Sequence, residues 1–331
     1  MQLTLDGDVV RADSRARERF YDSRGYGRVR GGDLDLAPVE AAHLVYRGDI
    51  DGVDGMGLRD LLGNGVVSAV DFSVYKDLRD RGFYLTPARE GWVDDPDGVD
   101  FVVYPRGQGP WDDAIAHRVR VVGERDDLPA NSLGDCVLAV VDEESEITYL
   151  ETARRTVEGT SDAHVPETTG QLLAERVLCW NPPEQLYEQA FYGQRLDEES
   201  VQLSLVEAAY LAREGALTVG PDDAVVERGR EVEGERFDRR LAVYAALRDS
   251  GVVPKTGFKF GADFRTYADV ESVENLGHSE LLVRVLPASH TFEPRDLALD
   301  VRLAHGVRKT MVFALVDDGG VEWMRVERLT P

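Results

Sequence analysis

The sequence predicts an α+β protein of two tandem repeats, each a small α/β N-terminal lobe followed by a larger mixed α/β lobe. Three observations lead there. Ordered segments recur along the chain, apolar residues change between helix and strand spacing inside each copy, and the second copy runs strand, helix and hairpin in succession. At 331 residues the chain also exceeds one ordinary domain, so two to four compact units are expected.

The recurrence is visible residue by residue. Leu36-Ala37-Pro38-Val39-Glu40-Ala41-Ala42 returns as Leu203-Ser204-Leu205-Val206-Glu207-Ala208-Ala209, 167 positions later. Tyr75, Leu78-Arg79-Asp80 and Gly82 return as Tyr244, Leu247-Arg248-Asp249 and Gly251. Phe101 and Tyr104 match Phe264 and Tyr267, Val119-Arg120-Val121 matches Val283-Arg284-Val285, and Ile147-Thr148-Tyr149 resembles Val321-Glu322-Trp323. Five matches in one order indicate duplication.

Within each copy the elements follow from spacing. The segments opening at Leu36 and Leu203 are alanine-rich and helical, and residues 242–248 repeat Leu and Ala at helix spacing. Leu281-Leu282-Val283-Arg284-Val285-Leu286 is a strand ending at Pro287. A helix is expected over about residues 294–305, since proline suits the first helical position. Residues 311–316 then turn through Asp317-Asp318-Gly319-Gly320 into a second strand, 321–326, as a hairpin. Gly, Ser, Asp, Pro and Thr crowd together over residues 159–169, which marks the boundary between copies. The expected lobes are therefore 1–65, 66–165, 166–236 and 237–331.

Composition narrows the function. No apolar run approaches the roughly 20 residues that span a bilayer, and residues 1–8 lack a signal-peptide pattern. Cys136 and Cys179 stand apart, without a CxxC pair or a histidine at ligand spacing, so neither a zinc knuckle nor a disulfide framework is indicated. A reducing cytoplasm is the expected setting.

Acids outnumber bases 62 to 38, for a net charge of −24, and only Lys76, Lys255, Lys259 and Lys309 are lysines. That balance suits a salt-rich cytoplasm, where screening shortens to about 3 Å near molar salt and carboxylates keep the surface hydrated. On charge alone, such a chain would avoid nucleic acid. Residues 254–312, however, hold eight bases and eight acids, which makes them locally neutral and a place where a polyanion can settle.

Three blocks of residues there stand in order: Gly257-Phe258-Lys259-Phe260-Gly261-Ala262-Asp263-Phe264-Arg265-Thr266-Tyr267, then Gly277-His278-Ser279-Glu280, then Arg302-Leu303-Ala304-His305-Gly306-Val307-Arg308-Lys309-Thr310. They resemble the catalytic half of archaeal tRNA-intron endonucleases, strongly over residues 237–331. The duplicated layout extends the likeness to the whole chain, as in homodimeric members whose subunit carries two units. Together with the composition, a haloarchaeal member is expected.

The resemblance implies a metal-free, cofactor-free endoribonuclease with a nuclease-like lobe in each copy. Tyr267 would be general base, His278 general acid and Lys309 the cation at the transition state. Those residue types suit a substrate that carries its own nucleophile, the 2′-hydroxyl. The enzyme need only remove that proton, protonate the leaving 5′-oxygen and stabilise the charged phosphorane. Products would be a 2′,3′-cyclic phosphate and a 5′-hydroxyl. A histidine of ordinary pKa near 6.5 donates readily, whereas a tyrosine near 10 is a poor base unless a cation lowers it, a task Lys309 could share.

The resemblance also implies a bulge base held between two arginines. Arg302 matches the first, and either Arg325 or Arg328 is the second. The substrate would be the bulge-helix-bulge of precursor tRNA, read by shape. Two bulges call for two active sites, hence a homodimer with the first copy as scaffold, because His278 faces Ala114 there and Lys309 faces Asp135. An acidic loop of the scaffold, Glu124, Asp126 and Asp127, would dock into a partner's cleft.

Other readings need different residues. A non-catalytic RNA-binding subunit requires a broken constellation, which the second copy does not have. A metal-dependent nuclease would draw on Asp263, Asp269 and Glu280 as oxygen ligands. A nucleotide-binding enzyme is weakest, since Gly25, Gly27, Gly31 and Gly32 miss the GxGxxG spacing.

Overall fold

The computed structural model describes residues 3–112, 114–221 and 223–331. The chain forms two compact units: residues 3–152 with Thr291–Ala298 and Arg328–Pro331, and Ala153–His290 with Leu299–Glu327.

The first unit opens with short strands Thr4–Asp6, Val9–Ala12, Arg28–Arg30 and Asp33–Leu36, which form an antiparallel sheet with the third and fourth strands exchanged in order. Helix Pro38–Tyr46 follows, with proline at its start, and helix Ala69–Asp80 is capped by the Ser68 side chain. Strands Leu85–Pro87, Phe101–Val103, His117–Gly123, Cys136–Val141 and Ile147–Arg154 make a second sheet, antiparallel except between His117–Gly123 and Cys136–Val141.

The second unit repeats the plan. Strands Gln171–Leu173, Arg176–Trp180, Gln194–Arg195 and Ser200–Ser204 form its small sheet, and helix Leu205–Arg213 begins on a capping box in which Ser204 and Glu207 exchange bonds. Its larger sheet runs Val253–Thr256, Phe264–Tyr267, Leu281–Pro287, Thr310–Asp317 and Gly320–Leu329. The parallel pair Leu281–Pro287 and Thr310–Asp317 is bridged by helix Pro294–Gly306, since parallel neighbours need a crossover. The strand, helix and hairpin expected from sequence thus all form.

Hydrogen bonds repeat along with the elements. Glu40 accepts from the Gly27 and Ala37 amides, and Glu207 accepts from those of Gly193 and Ser204. Arg79 stacks 3.7 Å over Tyr26, and Arg248 stacks 3.8 Å over Tyr192. Asp100 accepts from the Val121 amide, as Asp263 does from that of Val285. Gly193, at φ +65°, is required because an added Cβ would lie 2.3 Å from the Gln202 carbonyl oxygen.

One difference matters. In the second unit Lys255 donates to Glu207 at 3.0 Å, whereas the strand register puts Thr86 at that place in the first unit. Burial raises both carboxyls. Lys255 and the amides outweigh burial at Glu207 and hold it at about 2, while at Glu40 burial outweighs the amides and the charges of Arg79 and Arg89 and pushes it up to about 7.

The register also explains why the repeats drift out of step. Val283 pairs with Val312 and Val119 with Val137, so the offset grows from 164 to 175 between these strands. The added residues are the crossover helix, which the first copy replaces with a 3-10 turn, Ala130–Ser132. This corrects one expected pairing. Lys309 corresponds to Gly134, and Asp135 corresponds to Thr310, while Ala114 stays opposite His278.

The stretch 159–169 is packed into the second unit. Gly159 and Ser161 donate to the Ser250 and Gly251 carbonyls, and Thr160 to that of Ala268. An added Cβ on Gly159 would lie 2.3 Å from the Gly251 oxygen, so this close backbone approach demands glycine.

Candidate active site

The site of the second unit is organised by one rung of its sheet. Thr266 pairs with Leu281, and Leu281 with Thr310. Tyr267 follows Thr266 and Lys309 precedes Thr310, so both flank the rung at one end of the sheet. Side chains directly across a ladder share a face and alternate along each strand, so Tyr267 and Lys309 project from the same face. His278 lies three residues before Leu281, in the loop entering the middle strand.

Each side chain is held differently. Tyr267 is 8% exposed and its ring packs edge-on against Phe191 at 5.7 Å, with Val253 and Val270 around it. Lys309 follows Arg308, whose φ of +57° ends the helix in a sharp turn. Its ammonium donates to the Ser279 carbonyl and lies 5.6 Å from the Phe260 ring. That bond ties Lys309 to the residue next to His278. Burial lowers the Lys309 pKa, and the nearby Arg265 lowers it further. His278 itself is exposed.

Arg302 is also exposed, on a helix anchored through buried Leu297, Val301 and Ala304. Arg325 lies opposite Val312, and its guanidinium is bound to Glu327 at 2.9 Å. Arg328 is exposed near the end of the last strand and belongs to the first unit.

Of the three oxygen donors a metal would draw on, Asp263 and Asp269 are occupied otherwise. Asp263 binds Arg236, Arg240 and the Val285 amide, Asp269 accepts from Thr160, and Glu280 is exposed beside the rung. Among the described residues no group of three or more His, Cys, Asp or Glu side chains is gathered to hold an ion.

In the first unit, Glu124 pairs with Arg125 at 2.8 Å and Asp126 caps the Gly123 amide, while Asp127 is exposed. Arg125 also binds Glu143, which sequence reading had passed over. The turn carrying Glu143, Glu144 and Glu146 therefore joins the loop in one acidic tip. The second unit has a cleft of about 430 Å³ whose charged lining is mixed, Arg176, Arg240, Lys255 and Arg265 with Glu175, Glu207 and Glu233.

Two features escaped the sequence. Lys259, Arg265, Arg302, Arg308 and Lys309 lack a carboxylate partner among the described residues, although the chain is rich in acid. Arg265 is a neighbour of Tyr267, with its guanidinium carbon 5.8 Å from the ring centroid. The signal for Arg265 was its i, i+2 spacing from Tyr267 on a strand.

Comparison with known proteins agrees with this architecture. The catalytic C-terminal domain of tRNA intron endonuclease matches residues 237–323, and the N-terminal domain of that family matches twice, at residues 1–62 and 168–229. A tRNA-splicing endonuclease of Haloarcula marismortui is 77% identical over 335 residues, covering 100% of both chains. One of Natronomonas pharaonis is 63% identical, again over 100% of both, and one of Methanosarcina acetivorans is 39% identical over 99% of both. No helix among the described residues is long and apolar enough to cross a membrane. The chain belongs to the tRNA intron endonuclease family and is an enzyme of it.

Proposed function

We propose that the protein excises introns from precursor tRNA at bulge-helix-bulge junctions, using the RNA 2′-hydroxyl as nucleophile and no metal or cofactor. Tyr267 takes the 2′-proton, His278 protonates the leaving 5′-oxygen, and Lys309 stabilises the phosphorane. One observation carries the reading: the rung through Thr266, Leu281 and Thr310 is flanked by a tyrosine and a lysine at one sheet end, with His278 in the loop three residues before Leu281. Arg302 and either Arg325 or Arg328 hold the bulge base, where stacking is worth about 1 to 3 kcal/mol and resists salt better than phosphate contacts do. Arg325 must first release Glu327.

The chain divides into lobes 1–65, 66–165, 166–236 and 237–331, with the last catalytic and the second a scaffold. It works as a cytoplasmic homodimer, in which the acidic tip with Glu124, Asp126 and Asp127 enters the partner's cleft. Arg176 and Arg265, the cations of that cleft without a carboxylate partner among the described residues, support this docking.

The test incubates the protein, in high potassium chloride with EDTA, with RNA carrying two three-nucleotide bulges around a short helix. Expected are cuts at both bulges, 2′,3′-cyclic phosphate and 5′-hydroxyl ends, and a dimer in sedimentation. Cleavage only with added Mg²⁺ would instead identify a metal-dependent nuclease.

A further inference from the structure

Phe258 is the most exposed large apolar side chain among the described residues, with 86% of its surface open to solvent. Its ring stacks on no other ring and no cation among them. The exposed Trp111 differs, since it packs edge-on against Tyr21 and Tyr84. A phenyl ring left in water forgoes the gain of burial, so Phe258 adds nothing to the fold of its own unit.

The exposure is built into the chain. Phe258–Phe260 form a 3-10 turn between strands Val253–Thr256 and Phe264–Tyr267. The Phe260 amide donates to the Gly257 carbonyl at 2.8 Å, the Gly261 amide to that of Phe258 at 3.2 Å, and the Gly257 amide to that of Asp263 at 3.1 Å. An added Cβ on Gly257 would lie 2.8 Å from the Ala262 oxygen, so the turn is closed tightly over a glycine. Asp263, at its end, is fixed by Arg236 and Arg240.

The turn stands beside the reaction centre. Phe260 faces inward, its ring 5.6 Å from the Lys309 ammonium, and at about three residues per turn Phe258 is carried to another side and into solvent. Residues 256–262 hold no acid in a chain of 62 acids, and Lys259 is exposed with no carboxylate partner among the described residues. An aromatic, cationic and acid-free tip suits single-stranded nucleic acid, whose bases offer flat faces and whose backbone offers phosphates. None of residues 257–263 lines the cleft given to the partner's acidic tip.

We propose that Phe258 is an RNA-binding residue, on whose ring an unpaired base of the bulge stacks. This rests on the second unit being the RNA-cutting site. It adds a second held base to the one between the arginines, since a three-nucleotide bulge leaves two more unpaired. A ring already fixed in place loses little freedom when the base arrives, and stacking outlasts the salt that weakens phosphate contacts.

The test measures Kd in high potassium chloride for the bulge RNA blocked by 2′-deoxy nucleotides at both junctions. Phe258→Ala is expected to raise Kd about tenfold, an ordinary value for one stacked base. Phe258→Trp should keep the affinity, and Phe258→Leu, apolar but not flat, should lose most of it. Abasic nucleotides placed one at a time through the bulge should reveal one position that weakens binding by the unaltered protein equally and costs Phe258→Ala nothing further. An unchanged Kd in Phe258→Ala, affinity restored by leucine, or abasic losses that add to the alanine loss at every position overturns the proposal. So does Phe258→Ala sedimenting as a monomer where the unaltered protein is a dimer, which would make the ring a contact between subunits. The unaltered protein separates two failures. If it neither binds nor cuts the unblocked RNA, the reading beneath falls and the proposal with it, and if it does both while Phe258→Ala binds equally well, only the proposal falls.

Discussion

A His278→Ala protein is expected to lose roughly 10²- to 10⁴-fold of its single-turnover cleavage rate, the usual contribution of general acid catalysis. The loss should come without unfolding. His278 is exposed, and the bond that fixes the neighbouring loop runs from Lys309 to the carbonyl of Ser279, which alanine at 278 leaves in place. An exposed substitution of this kind changes stability by about 0.5 kcal/mol or less. RNA binding should persist, since Arg302 and the uncancelled lysines are untouched. Cleavage slowed less than about tenfold would remove His278 from the acid role.

Lys255→Met should have the largest effect on stability, a loss of about 3 to 5 kcal/mol in the second unit, because it strands a buried carboxylate. Glu207 and Lys255 are only 9% and 10% exposed, and the ammonium also binds the Phe191 and Gly193 carbonyls. The first unit offers the comparison, since Glu40 accepts from the equivalent amides without a lysine, and burial, against those amides and the charges of Arg79 and Arg89, pushes it up to about 7.

The sign follows from those positions. In the unaltered protein Glu207, held at about 2, contributes stability above the ordinary carboxylate range that is lost as pH falls toward 2. In the variant its pKa should move toward that of Glu40, so folding takes up a proton and stability falls as pH rises from about 4.5 to 7. The gap in melting temperature between the two proteins should therefore be wide at pH 7.5 and narrow at pH 5. A constant gap would mean that Lys255 acts by packing alone.

The parts legible in the sequence were those fixed by local chemistry. Pro294 begins the crossover helix where proline belongs, Asp317-Asp318-Gly319-Gly320 marks the hairpin, and the run at 281–286, apolar but for Arg284, is a central strand. Less visible were the small sheets. Their strands are often only three or four residues long and interrupted by charges, as in Asp33–Leu36, so alternation has no room to show. Tyr267, His278 and Lys309 stand out through their blocks, but the rung that sets Tyr267 and Lys309 at one sheet end depends on strand register. The same holds for Lys255 with Glu207, 48 residues apart, and for the slip that sets Gly134 in the place expected for Asp135. Across the 22 residues, 288–309, between strands Leu281–Pro287 and Thr310–Asp317, a one-residue error in pairing follows readily without the crossover helix in view.

The proposed reaction turns on the RNA supplying its own nucleophile, and a bulge substrate with a single 2′-deoxy nucleotide at one junction tests that directly. The modified junction should stay intact over times in which the unmodified one is cut completely, and the fully deoxy-blocked RNA should compete for binding as well as the substrate does. Cutting at the deoxy junction would mean that water is the nucleophile, and the roles given to Tyr267, His278 and Lys309 would be wrong.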